Sequence, residues 1–349
     1  MSKKPKKKRK VWKIVMFSIL GLIAAVIFTA VSVGAYFYFS IKSFDPASIS
    51  QPREKFVLPV VPAPDIVEYN GESYKYNDDI INVLFIGTDK KSEEVAGIVA
   101  QGGQADVLIL LSINTKDRTY SLFNILRDSM TEISVYDVGG NFVRNEIAQI
   151  ALAHHYGDAG NFSAQLTEQA AANLLYGIKI YRYIRLDVDG LVAATDLFGG
   201  VTVTLDEDAQ ILKKDYSAGE KLTLNGEQVE NYLRNRDISV LTSSMERSGR
   251  QMRFLKSLVP QVSSKVKGDP LSVLNIYSQL GKYVSTNMTV PELTYIIEVL
   301  IESGFNIDDI LSLPGEMQQG EIFAEFIVDR TELYDIIINN YYYIIDKEK

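Results

Sequence analysis

Cysteine is absent from this chain of 349 residues, and histidine occurs twice, as the adjacent pair His154 and His155. Without thiols there is no disulfide framework, no zinc–thiolate site and no cysteine nucleophile. That suits an exported protein of a bacterium that does not use disulfides. Two neighbouring histidines on a helix cannot face one site, and no third nitrogen ligand exists, so a zinc centre is not expected. No Gly-x-Ser-x-Gly string occurs, which removes the usual setting of a serine nucleophile. A broad basic surface is lacking too. Formal net charge is −8, and eight cations (Lys3, Lys4, Lys6, Lys7, Lys8, Arg9, Lys10 and Lys13) crowd the first thirteen residues with no acid among them. Removing those eight positive charges leaves −16 on the remainder, the opposite of what counterion release on nucleic acid requires. With no helix-turn-helix either, nucleic acid is not expected as a partner.

Charge is also missing from Ile14 to Ile41, a segment bracketed by Lys13 and Lys42. At about 1.5 Å per residue it is ample for a tilted helix across a hydrocarbon core of about 30 Å. The basic residues before it place the tail, 1–13, in the cytoplasm and everything beyond Lys42 outside. Trp12 and the Tyr36 to Phe39 group stand where interfacial aromatics belong. A cleavable signal peptide would have a shorter apolar core ending in small residues. Pro5 to Val11 matches a nuclear-localisation string, but a spanning segment begins at once, so a flank contacting anionic lipid is the better reading.

Five of the ten prolines, Pro46, Pro52, Pro59, Pro62 and Pro64, fall in a stretch with little periodicity. Residues 42–79 are therefore expected to form an extended stalk. Ordered structure is expected over 80–349, with a motif core at 80–260 and an extension at 261–349. Continuous apolar runs predict strands at Ile80–Ile86, Val107–Ile113 and Thr119–Leu126, the last two joined by a short connection at Asn114–Arg118. Helices are predicted over Glu146–Tyr156, Ser163–Tyr176 and Gly190–Phe198, with strands at Tyr181–Asp187 and Val201–Leu205. Further helices lead into Arg234 and run over Arg247–Val266, Val290–Glu302 and Thr331–Tyr343. Alternating strands and helices, many apolar on both faces, indicate an α/β or α+β sandwich.

Two arginine-rich strings stand out in this acidic chain: Tyr232-Leu-Arg234-Asn-Arg236 and Arg247-Ser-Gly-Arg250-Gln251. Arginine keeps its charge and offers a planar fork of donors that fits phosphate oxygens in pairs. Arg247 and Gln251, four apart, share one helix face. A solvated basic helix face is the alternative. Asp89 follows one strand and Asp106 precedes the next; sequential strands are usually neighbours, which would bring both carboxylates to one rim. Carboxylates together with phosphate oxygens are how magnesium is held, although aspartate is common in any turn. Arg127 ends a strand, either salt-bridged to Asp128 or contacting a ligand. Arg144 with Asn145 would open a helix, where backbone N–H groups favour anions. Two carboxylates could also serve glycoside hydrolysis, but a neutral sugar cleft has no need of four arginines.

In this order the strings Asn82 to Asp89, Ala105 to Asn114, Asn124 to Asp128, Arg144 to Ala148, Phe198 to Val203, Leu224 to Gln228, Tyr232 to Arg236 and Arg247 to Gln251 resemble the LytR-CpsA-Psr (LCP) family. The resemblance covers roughly Ile80 to Pro260. It implies an α/β/α sandwich with a mixed central sheet behind a single N-terminal transmembrane helix. It also implies a membrane-anchored phosphotransferase of a Gram-positive-type bacterium. Such an enzyme moves a glycopolymer (teichoic acid, capsule or a related polymer) from a polyprenyl-pyrophosphate carrier to peptidoglycan, outside the membrane. By motif, Asp89 and Asp106 resemble the metal carboxylates for magnesium, or manganese in its place. Asp89, Arg127 and Arg236 resemble catalytic positions. Arg127, Arg144, Arg234, Arg236, Arg247, Arg250 and Gln251 resemble the pyrophosphate-binding set, Arg144 standing where the family often has lysine. Partners would be the lipid-linked glycopolymer, peptidoglycan and membrane lipid. Gln104-Ala105-Asp106 departs from the family's usual Arg-Ser-Asp, and the loop between Asp89 and Asp106 is longer than is typical. A non-catalytic scaffold binding the same lipids, or a pyrophosphatase acting on them, are the alternative readings.

Overall fold

The computed structural model describes residues 39–345, apart from 41, 53–57, 89–98, 206–208, 212–213, 235–242, 269–275, 277 and 305. The expected membrane segment lies almost wholly outside these residues, as do Asp89 and Arg236. Among the described residues no helix is long and apolar enough to cross a membrane.

A 3-10 turn at Pro46–Ser50 is followed by a hairpin of β1 (Ile66–Tyr69) and β2 (Glu72–Tyr76). Its turn residues, Asn70 and Gly71, both have positive φ, which matches the right-handed twist of the strands. An antiparallel meander comes next: β3 (Ile80–Thr88), β4 (Ala105–Asn114) and β5 (Thr119–Ile125). A second hairpin, β6 (Met130–Tyr136) with β7 (Phe142–Gln149), precedes helices α1 (Ala151–His155) and α2 (Asn161–Leu174). Strand β8 (Arg182–Asp187) then returns parallel to β3. Beyond it lie α3 (Val188–Leu197), β9 (Val201–Thr204), the short pair β10 (Ala209–Ile211) and β11 (Lys214–Tyr216), and β12 (Lys221–Leu224). Helices α4 (Gly226–Arg234) and α5 (Ser243–Gly268) follow. The last part holds β13 (Val284–Thr286), α6 (Val290–Glu302), β14 (Ile310–Ser312), β15 (Gly315–Gln319), β16 (Ala324–Val328), α7 (Arg330–Tyr341) and β17 (Tyr342–Ile344).

The central sheet has six strands in the order β13-β8-β3-β4-β5-β14. It is mixed: β3 with β8 and β5 with β14 are parallel, the other neighbours antiparallel. Side chains alternate between faces. Leu84, Ile86, Leu108, Leu110, Phe123 and Ile125 point to one core, filled by Ala153 of α1, Leu166 and Ala170 of α2, and Leu333 and Ile337 of α7. Ile81, Val83, Ile109, Leu111 and Leu122 are buried on the opposite face. There Arg182 donates to the carbonyls of Ser48 and Gln51, and Asn124 donates to Ser248 of α5 (3.3 Å). Helical elements on both faces explain why these strands are continuous apolar runs. Each fully buried Leu, Ile or Phe contributes about 1.5–3 kcal/mol. A second core joins Val201, Val203 and Leu224 of the β9–β12 pair to Tyr232 and Leu233 of α4 and Phe254 of α5. It holds the end of α4 against the start of α5.

By residue contacts, the described part of 39–45 groups with Thr289–Ile296. Within this group the rings of Phe44 and Tyr295 are 5.8 Å apart, and Glu292 accepts from the backbone N–H and the hydroxyl of Thr289 (2.6 and 2.8 Å).

Three expectations are corrected. Much of 42–79 is not a free stalk: Leu58 and Tyr76 belong to the main core, Pro59 accepts a hydrogen bond from Gln169, and β2 pairs with β17. The helix expected over Glu146–Tyr156 begins only at Ala151, because Glu146–Gln149 pair with β6. The helix expected to reach Tyr343 stops at Tyr341, after which Tyr342 joins a strand beside β2.

Candidate functional site

The site is built at the end of β3. Gly87 faces Val107 so closely that an added Cβ would lie 2.9 Å from the Val107 Cβ, so no larger residue fits without a shift. Gly87 pairs with Val107 and Thr88 with Ala105, which leaves Asp106 as the extra residue of a β-bulge. Bulges re-aim a side chain at the rim of a sheet. The prediction that β3 and β4 are neighbours holds, and the bulge turns Asp106 toward the end of β5.

Arg127 emerges there, two residues beyond the end of β5. Its Nη1 donates to the Asp106 carboxylate, its Nη2 to Oε1 of Gln104, and its Nε lies 3.5 Å from Asp128. Asp128 is buried and also accepts from Gln149 (2.9 Å). The same Asp106 oxygen accepts from Nη2 of Arg247 at 3.2 Å. One carboxylate thus gathers two arginines from opposite ends of the motif core. Their side chains are about a tenth exposed: 11% for Asp106, 10% for Arg127 and 8% for Arg247. At that burial the charges interact through a less screening medium than water.

The other predicted residues have different surroundings. Gln251 donates to the carbonyl of Leu233 (3.5 Å) and Arg250 to that of Tyr232 (3.2 Å). Both therefore satisfy carbonyls in the last turn of α4, where donors and cations are favoured. They fasten α4 to α5 and so fix where Arg247 stands. Arg234 is half-exposed and paired with Glu230 one turn back (2.7 Å). Arg144 does not open a helix. It lies in β7, exposed and paired with Glu146 (2.6 Å), and its cross-strand partner is Val135. The structure does not bring it to Asp106.

Two features escaped the sequence reading. Gln104 is an acceptor for Arg127 as well as a departure from the family pattern. Gln149 braces Asp128 and also donates to the carbonyl of Ala324 (2.7 Å), which ties the Arg127 end of the sheet to β16. No local motif signals a contact of that kind. Among the described residues no group of three or more acidic or histidine side chains is placed to hold a metal ion. Of the two carboxylates expected to hold magnesium, Asp106 is the one among the described residues, and its Oδ1 accepts from Arg127 and Arg247.

Comparison with known proteins identifies the family and supports the fold. The LytR_cpsA_psr family model matches residues 59–347, and the chain belongs to that family. Its curated relatives include proteins named polyisoprenyl-teichoic acid–peptidoglycan teichoic acid transferase TagU. The one from Bacillus licheniformis is 24% identical over 229 residues, 66% of this chain and 65% of that protein. The one from Bacillus cereus is 27% identical over 309 residues, 87% of this chain and 88% of that protein. Among solved structures, Bacillus subtilis TagV superposes with a TM-score of 0.58 at 23% identity, over 74% of this chain and 95% of TagV. That likeness supports the mixed α/β fold.

Proposed function

We propose that the chain is a membrane-anchored transferase that moves a glycopolymer from a polyprenyl-pyrophosphate carrier to peptidoglycan, with its catalytic domain outside the membrane. The observation that carries the reading is the convergence of Arg127 and Arg247 on Asp106. Two nearly buried guanidiniums at a sheet rim form a receptor for a diphosphate, since each fork can match two phosphate oxygens. Family membership and the names of the relatives supply the donor and acceptor classes.

In the reaction an acceptor hydroxyl oxygen attacks the phosphorus that carries the glycan. The bond from that phosphorus to the bridging oxygen breaks, and polyprenyl phosphate leaves. Arg127 and Arg247 would spread the charge that builds on the leaving phosphate. Gln104 and Asp128 hold Arg127 in one orientation, so little reorganisation is needed when the charge develops. A carboxylate such as Asp89 would position the acceptor hydroxyl or accept its proton. Asp106, with Asp89, would hold magnesium, which would add a further positive charge at the phosphate oxygens.

The test is magnesium-dependent release of polyprenyl phosphate from a pyrophosphate-linked glycan, with peptidoglycan present or absent, beside Arg127→Ala. Release that needs the acceptor and is lost in the variant supports the transferase. Release that ignores the acceptor identifies a pyrophosphatase, and tight lipid binding without release a scaffold.

A further inference from the structure

Across β3 from Asp106 lies a third arginine that the arrangement above leaves unused. Arg185 of β8 is 4% exposed, and its Nε is enclosed without a hydrogen-bond partner among the described residues. Burial pushes its pKa down, and Asp187, Tyr183 and Asp158 act on it through space rather than by hydrogen bonds. A buried cation that lacks hydrogen bonds is costly to keep, so its retention calls for a ligand.

Its surroundings suit an anion. Ile86 pairs with Arg185 and Thr88 with Asp187, so by strand alternation Thr88 and Arg185 lie on the Ile86 face of the sheet, Thr88 at the strand end beside the Asp106 bulge. The Thr88 hydroxyl is buried and has no hydrogen-bond partner among the described residues. Thr88 is also the pairing partner of Ala105, the residue before Asp106. Tyr183, two residues before Arg185, donates to Asn161 in the first turn of the 14-residue helix α2. That brings β8 to the positive end of the helix. Asp158 already takes the N–H groups of Gly160 and Ser163 there. His154 shares Nδ1 with the carbonyl of Gly103 (3.3 Å), which places its proton on Nδ1 and leaves a bare lone pair on the buried Nε2. It therefore adds no competing cation.

We propose that Arg185 and the Thr88 hydroxyl form a second phosphoryl subsite. Arg127 and Arg247 hold one phosphoryl group of a diphosphate and Arg185 holds the other. This rests on the diphosphate reading of the Asp106 site and extends it to a residue outside both arginine-rich strings. Strands β8 and β4 are two inter-strand spacings apart, about 9.6 Å. A diphosphate and one extended arginine side chain together bridge that gap.

The experiment is calorimetric titration of the full chain in detergent with inorganic phosphate, inorganic pyrophosphate and geranyl pyrophosphate. The unsubstituted protein is run beside Arg185→Met, Arg185→Lys and Arg247→Met. Pyrophosphate is expected to bind at least about tenfold tighter than phosphate. Arg185→Met removes that difference and leaves phosphate affinity nearly unchanged, Arg185→Lys keeps part of it, and Arg247→Met weakens both anions. Geranyl pyrophosphate following pyrophosphate through the series ties the subsite to lipid-linked donors. Equal pyrophosphate affinity in Arg185→Met and the unsubstituted protein overturns the proposal. Should Arg185→Met fail to fold, the Nε–H resonance of Arg185, assigned with Arg185→Lys, must move with pyrophosphate and less with phosphate; an unmoved resonance overturns it too. These anions need no turnover. A pyrophosphate subsite in a protein that releases no polyprenyl phosphate refutes the transferase alone, and release by a protein whose Arg185 ignores pyrophosphate refutes the subsite alone.

Discussion

Asp106→Asn separates the two things that the Asp106 carboxylate does. It accepts from Arg127 and Arg247, and all three side chains are about a tenth exposed. Hydrogen bonds to charged groups contribute about 1.5–3 kcal/mol each, and removing one partner of a buried pair costs about 3–5 kcal/mol. Arg127 keeps Gln104 and Asp128 in the variant, so its share of the loss falls at the low end. Asparagine still offers one oxygen, which lowers the cost again. The expected destabilisation is about 2–4 kcal/mol. With a urea slope of about 1–3 kcal/mol per molar, the unfolding midpoint should fall by about 1–2 M. Ligand binding should change in the opposite sense when no divalent cation is present. The carboxylate competes with phosphate for both guanidiniums, so its neutralisation should tighten inorganic pyrophosphate about tenfold. Urea unfolding by circular dichroism and titration in chelator measure the two effects on one preparation. An unchanged midpoint together with unchanged pyrophosphate affinity would falsify the claim that Asp106 organises these arginines.

The exposed arginines serve as controls: Arg144→Ala and Arg234→Ala should shift stability by no more than about 0.5 kcal/mol, because their partners Glu146 and Glu230 are also solvent-accessible. A loss above about 1 kcal/mol in either would contradict their placement. Gly87→Ala pushes a methyl group against Val107 and should cost about 1–3 kcal/mol while displacing the Asp106 bulge, read as a lower melting temperature and weaker pyrophosphate binding together. His154 gives a pH signature. Burial first, and then Arg185, hold its folded pKa at about 4 against 6.5 for the free side chain. The unfolded chain therefore binds the extra proton between these values. Stability from this group is complete above pH 6.5 and falls as the pH drops toward 4, by at most about 3 kcal/mol. His154→Gln should flatten that slope, and an equal slope in both proteins would refute the assignment.

How far the sequence could be read follows from where each signal resides. The strands that carry Asp106 and Arg127 were legible because burial on both faces leaves continuous apolar runs, and because consecutive strands tend to pair. The β6–β7 hairpin was not. Phe142, Val143 and Ile147 are all exposed, so β7 shows no inside–outside alternation, and its pairing with β6 decided its state. The misplacement of Arg144 followed from that one error. The prolines of 42–79 pointed to an extended stalk, but they do not prevent packing, as Leu58 and the Pro59 carbonyl show. The contact between Arg247 and Asp106 joins residues 141 apart in the chain, and no local pattern encodes such a distance.

Gln104 shows how a single position changes meaning between sequence and structure. In the sequence it is a missing arginine, one positive charge fewer beside the diphosphate site. In the structure its side-chain oxygen accepts from Arg127, so a neutral acceptor stands where the family resemblance expects a cation. That exchange fixes the Arg127 guanidinium and spares it the repulsion of a second one. The local positive charge is lower as a result. Arg185, buried on the far side of β3 with its Nε lacking a partner among the described residues, supplies a cation two strands over from the lost one. Arg185→Met in a Gln104→Arg background is therefore expected to recover pyrophosphate affinity that Arg185→Met alone loses. A double variant no better than the single one would show that the two positions are independent.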